Sequence, residues 1–65
     1  MDIIKQLISL RKERGYSQRE LAERSGIDAS QIAKIERGYN SPSAATLTKI
    51  AEALGADIKV VEKHS

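Results

Sequence analysis

A mainly α-helical bundle of four or five short helices is the fold that three features of this 65-residue chain predict. Leu, Ile and Ala recur at helical spacing in four stretches. Each stretch opens on Asp or Ser and closes on one of the four glycines, the residue types that cap helix starts and form left-handed helix ends. After the last of them, Gly55, the apolar spacing changes from helical to alternating.

The first helix starts at Asp2 as N-cap. Ile3, Leu7 and Leu10 form its stripe with Ile4 and Ile8 beside them, and Gly15 ends it. Lys5, Gln6, Lys12, Glu13 and Arg14 are expected to face water. Ser17 and Glu20 make a Ser-x-x-Glu capping box for a second helix, with Leu21 and Ala22 inward. That helix has room for about two turns before Gly26, too few to be stable without packing. Asp28 and Gln31 read as a second capping box, opening a third helix in which Ile32 and Ile35 point inward and Gly38 is the stop. Tyr39-Asn40-Ser41-Pro42 has turn chemistry. Ser43 caps a fourth helix with the stripe Leu47, Ile50, Ala51 and Leu54.

Beyond Gly55, polar and apolar residues alternate from Ala56 to Val60, and Ile58, Val60 and Val61 are β-branched. This predicts a short strand over 56–61, with a fifth helix as the alternative. The expected organisation is one domain over 1–65, with a helical core over 2–55 and a strand or tail over 56–65. A strand edge needs a partner. The same strand from a second copy, with Ile58 and Val60 sharing one of its faces, would supply it by pairing antiparallel across a two-fold axis.

Composition narrows the function classes. The chain has no Cys, which removes disulfides and thiolate metal sites. It has no Phe or Trp, which argues against a stacking platform for single-stranded nucleic acid. A net charge of +2 permits nucleic acid as a partner without requiring it. The only His is His64, too isolated for a metal site. No Gly-rich phosphate loop, nucleophile elbow or paired-carboxylate site is evident, so neither an enzyme nor a cofactor is expected. No apolar run reaches transmembrane length and no signal peptide is visible, so a cytoplasmic protein without a membrane partner is expected.

Two short capped helices joined by a turn at Gly26 form a helix-turn-helix layout, in which the second helix enters the major groove of duplex DNA. An ordinary helical hairpin has the same outline. Ser17-Gln18-Arg19-Glu20-Leu21-Ala22, Ser25-Gly26-Ile27-Asp28 and Gln31-Ile32-Ala33-Lys34-Ile35-Glu36-Arg37-Gly38 separate the two. With Ser41-Pro42-Ser43, Leu47, Ile50-Ala51 and Ala53-Leu54-Gly55, they closely resemble the Cro/cI-type (XRE-type) repressor family over about Ile4 to Gly55. The resemblance implies a lambda-repressor-like bundle and sequence-specific binding of double-stranded DNA.

If Ile32 and Ile35 face the core, Ala29, Ser30, Lys34 and Arg37 lie toward the opposite side. Ser can pair with several bases, an Ala methyl can meet a thymine methyl, and Lys34 can reach guanine O6 or N7. In the resembled family, positions matching Ala29, Ser30 and Lys34 are typical base readers. Gln31 is a further candidate as reader or phosphate ligand. Gln18, in the first turn of the second helix, can hold a phosphate with its amide and the free backbone N–H groups, and the resemblance implies the same. Arg19, Arg37, Tyr39 and Asn40 are candidate phosphate contacts because they should rim the same face. The resemblance further implies a structural ion pair between Arg11 and Glu36.

These features together give the expectation of a transcriptional repressor acting as a homodimer on an inverted repeat, since two half-sites add specificity that one small module lacks. The alternative is an antitoxin-type module that binds a partner toxin or regulator as well as DNA, using the 56–61 strand to extend a partner's sheet.

Overall fold

Four helices follow one another in the computed structural model, which describes residues 2–56: α1 (Ile3–Glu13), α2 (Gln18–Ser25), α3 (Ala29–Glu36) and α4 (Ala44–Ala53). Each begins where a capping residue interrupts the extended chain. The Asp2 carboxylate accepts the Ile4 N–H at 2.9 Å, and the Ser43 hydroxyl accepts the Thr46 N–H at 3.2 Å. At α2 the capping box is complete. Ser17 Oγ accepts the Glu20 N–H at 3.0 Å, and Glu20 Oε1 accepts the Ser17 N–H at 3.3 Å.

The second expected capping box, at Asp28, does not form. Asp28 is the N-cap of α3 but makes no side-chain cap bond. Its carboxylate accepts the Ser30 hydroxyl at 2.7 Å instead. An O–H to a carboxylate is a short, charge-assisted bond, and it turns the carboxylate to the Ser30 hydroxyl rather than to the free amides of the first turn.

The helix ends differ in a way that sets the path of the chain. After α3, the Tyr39 N–H donates to Lys34 O at 2.9 Å and the Gly38 N–H to Ile35 O at 3.1 Å, the paired bonds of a Schellman motif. The same pattern closes α1 at Tyr16 and α4 at Ala56. At the end of α2 there is one bond only, from the Gly26 N–H to Ala22 O at 2.9 Å. Gly26 sits at φ +74°, a conformation that costs other residues about 1–2 kcal/mol. The next amide, Ile27, donates to Ser25 Oγ. The chain therefore turns at once, and Ile27 enters the core two residues before α3 begins.

The core is Leu21, Ile27, Ile32, Ile35, Ile50 and Leu54. Ala51 is also buried, and Ile4, Leu7, Leu10, Tyr16, Ala22 and Ala53 are partly buried against the cluster. Burying a side chain such as Ile32, 1% exposed, contributes about 1.5–3 kcal/mol. α2 packs on α3 and α4, and α1 packs on α3. Arg14, expected to face water, is exposed, yet its Nε donates to Leu54 O at 3.2 Å and ties the end of α1 to the end of α4. The 56–61 strand with Ile58 and Val60, and the alternative fifth helix, lie outside the described residues.

Candidate nucleic-acid interface

The geometry of α3 follows from its anchors. Ile27, Ile32 and Ile35 are all buried, so the helix cannot roll without exposing an isoleucine. Ser30, Gln31 and Lys34 are left exposed on it, while Ala29 and Ala33 are half-buried. Ala29 points only partly outward, because it borders a shallow depression shared with Arg19, Ala22, Glu23 and Gly26. Arg37 follows the helix, and Tyr39 and Asn40 follow Arg37; all three are exposed, Tyr39 to 72%. Arg19 is exposed in the first turn of α2. Among the described residues, the N–H groups of Gln18, Arg19, Ala29 and Ser30 have no protein acceptor. Two helix starts thus present unpaired donors of the kind that bind anions.

Behind this surface lies a polar cluster joining three helices. Arg11 Nε donates to Glu36 Oε2 at 2.8 Å and Nη2 to Glu36 Oε1 at 2.9 Å, a bidentate pair whose side chains are 11% and 13% exposed. The third guanidinium nitrogen, Nη1, donates to Tyr16 O at 2.8 Å. Glu36 Oε1 also accepts from Gln18 Nε2 at 3.0 Å. Burial pushes the Glu36 pKa up, but the Arg11 and Gln18 hydrogen bonds and the Arg11 and Lys12 charges outweigh it. The carboxyl is held below its ordinary range.

Three contacts here have no signature in the chain. Gln18 and Glu36 are 18 positions apart, and Arg14 and Leu54 are 40 apart. Arg24 lies over the Tyr16 ring at 4.4 Å, pinning the α1–α2 connection by a cation–π contact. Among the described residues no three His, Cys, Asp or Glu side chains come together as a metal site. No helix there is long and apolar enough to cross a membrane.

Two short helices crossing at a glycine turn, the second locked by its inner face and polar on its outer face, define a helix-turn-helix domain. Residues 7–61 match the HTH_3 helix-turn-helix family, and the chain belongs to it, as the Cro/cI-type (XRE-type) resemblance implied. A crystal structure of an HTH_3 family transcriptional regulator from Vibrio cholerae is 45% identical and superposes with a TM-score of 0.80, covering 85% of this chain and 31% of that one. An uncharacterized HTH-type transcriptional regulator of Haemophilus influenzae is 39% identical over 59 residues, 91% of this chain and 60% of that protein. The immunity repressor protein of Bacillus phage phi105 is 36% identical over 61 residues, 94% of this chain and 42% of that protein. The chain thus spans less than two thirds of the length of either relative.

Proposed function

We propose that the protein is a transcriptional regulator that binds double-stranded DNA by placing α3 in the major groove, and that it acts as a homodimer on an inverted repeat. The observation that carries this reading is the two-sided α3: buried Ile32 and Ile35 on one side, exposed Ser30 and Lys34 on the other, with Gln31 exposed at the edge between them. A rigid polar helix face of that kind reads base edges. The regulators and the phage repressor among its relatives support the assignment.

The roles follow from chemistry. Lys34 donates to guanine O6 or N7. The only hydrogen of the Ser30 hydroxyl is committed to Asp28, so Ser30 meets a base as an acceptor, which suits the amino group of cytosine or adenine. Ala29 offers a methyl to thymine, and Gln31 serves as a reader or reaches the backbone. Gln18, Arg19, Arg37, Tyr39 and Asn40 contact phosphates, which fix orientation without reading sequence. The two reading helices of a dimer then stand one turn of duplex apart, about 34–36 Å.

Selection of bound sites from a random duplex library tests the reading. A palindrome with half-sites one turn apart is the expected result, with affinity falling as salt rises by about 0.9 log units per log unit of salt for each phosphate neutralised. Lys34→Ala then weakens the selected site about tenfold to a hundredfold and relaxes one base position. No enrichment, or affinity indifferent to salt, rejects the function.

A further inference from the structure

Glu36 is where α1, α2 and α3 meet through polar atoms. Its carboxylate holds Arg11 with both oxygens and Gln18 with one of them. An ionised carboxylate can only accept hydrogen bonds, so the Gln18 amide must turn its NH2 group toward Glu36. One Nε2 hydrogen is spent there at 3.0 Å, and the second has no acceptor among the described residues. The anchor is itself fixed, because all three guanidinium nitrogens of Arg11 are engaged, two by Glu36 and one by Tyr16 O.

We propose that Glu36 is a positioning residue for phosphate binding. It holds the Gln18 amide in one orientation before DNA arrives, with the second Nε2 hydrogen left for a phosphate oxygen of the strand that crosses the start of α2. The Gln18 and Arg19 backbone N–H groups stand at the same helix start, so one phosphate can collect donors already in place. A free glutamine side chain loses much of its rotamer freedom on binding. Here that loss has been met during folding, which is how preorganisation raises affinity. Glu36 sits at the end of the reading helix, so the ion pair that seats α3 also sets the grip of α2 on the backbone. This inference rests on the duplex-binding reading above.

The test is a cycle on one selected duplex and one scrambled duplex, using Gln18→Ala, Arg11→Met/Glu36→Met and the triple variant. Replacing both ion partners by Met leaves no lone charge in the cluster, and thermal melting followed by circular dichroism verifies folding. Gln18→Ala is expected to weaken both duplexes about 5- to 10-fold in the parent protein. Arg11→Met/Glu36→Met gives a similar loss on both, and adding Gln18→Ala to it costs less than about twofold more, the non-additivity of residues acting as one unit. Equal losses from Gln18→Ala in both backgrounds overturn the proposal. So does an Arg11→Met/Glu36→Met variant that loses preference for the selected duplex alone, because Glu36 would then act only by seating α3. If that variant does not fold, side-chain 15N relaxation of Gln18 in the intact, DNA-free protein decides. An amide as rigid as the backbone supports the proposal, and a freely rotating one overturns it. A parent protein that binds no duplex at low salt overturns the duplex-binding reading and this inference with it.

Discussion

α1 and the α2–α3 pair are attached to this molecule by different physics. α2, α3 and the turn between them supply Leu21, Ile27, Ile32 and Ile35 to the buried core. α1 supplies no buried residue at all. It rests on half-buried Ile4, Leu7 and Leu10 and is latched by polar bonds: Arg11 to Glu36 and Tyr16 O, Arg14 to Leu54 O. Apolar packing is non-directional and tolerates small shifts, while a bidentate ion pair has one geometry. The α2–α3 pair is thus held by burial, and α1 is registered against it by charge.

The largest effect that could break this contrast is at Ile32. Ile32→Ala is expected to cost about 2–5 kcal/mol, enough to unfold much of so small a domain, whereas Leu7→Ala on α1 costs about half as much. Chemical denaturation of both variants measures the difference. Equal costs would show that α1 is as much a part of the core as α3.

Next in size is the latch. Arg11→Met leaves the Glu36 carboxylate with Gln18 alone, and the loss of a charged hydrogen-bonded partner at a largely buried site costs about 1–3 kcal/mol. Because the folded pKa of Glu36 is depressed, the stability it contributes is present above the ordinary carboxylate pKa of 4.5 and disappears as pH falls through the lower folded value. Melting temperature should therefore fall between about pH 4.5 and the acid side of that range, and Arg11→Met should flatten this part of the curve. An unchanged pH profile in the variant would mean that Arg11 is not what holds the carboxylate ionised.

The smallest of the three concerns the turn. Nothing lies within 4 Å of a Cβ built on Gly26, so Gly26→Ala meets no clash and its cost is the backbone conformation alone, about 1–2 kcal/mol. Gly26→Asn should recover part of it, since Asn visits the left-handed region more readily. A Gly26→Ala variant as stable as the parent would show that the turn can relax without disturbing Ile27.

The helices, their starts and their stops were legible because each depends on neighbours in the chain. Ser17 and Glu20 are three residues apart, and a glycine that ends a helix needs only the preceding turn. The inward faces of α3 and α4 were legible for the same reason, since helical spacing places Ile32 with Ile35 and Ile50 with Leu54 whatever lies opposite. Asp28 was placed correctly as the N-cap of α3, but its capping box was misread, because periodicity does not rank the Ser30 hydroxyl against a backbone amide as the partner of its carboxylate. The Arg11–Glu36 pair came from a family resemblance, not from spacing.

What the sequence determined by itself is therefore the set of four capped helices and which face of each is apolar. Tertiary structure decided which polar groups meet across them: Gln18 with Glu36, Arg14 with Leu54 O, Arg24 with Tyr16. The physical reason is range. Caps and helical stripes are set by bonds within one or two turns, whereas these side chains meet only after Ile27, Ile32 and Ile50 have fixed how the helices cross.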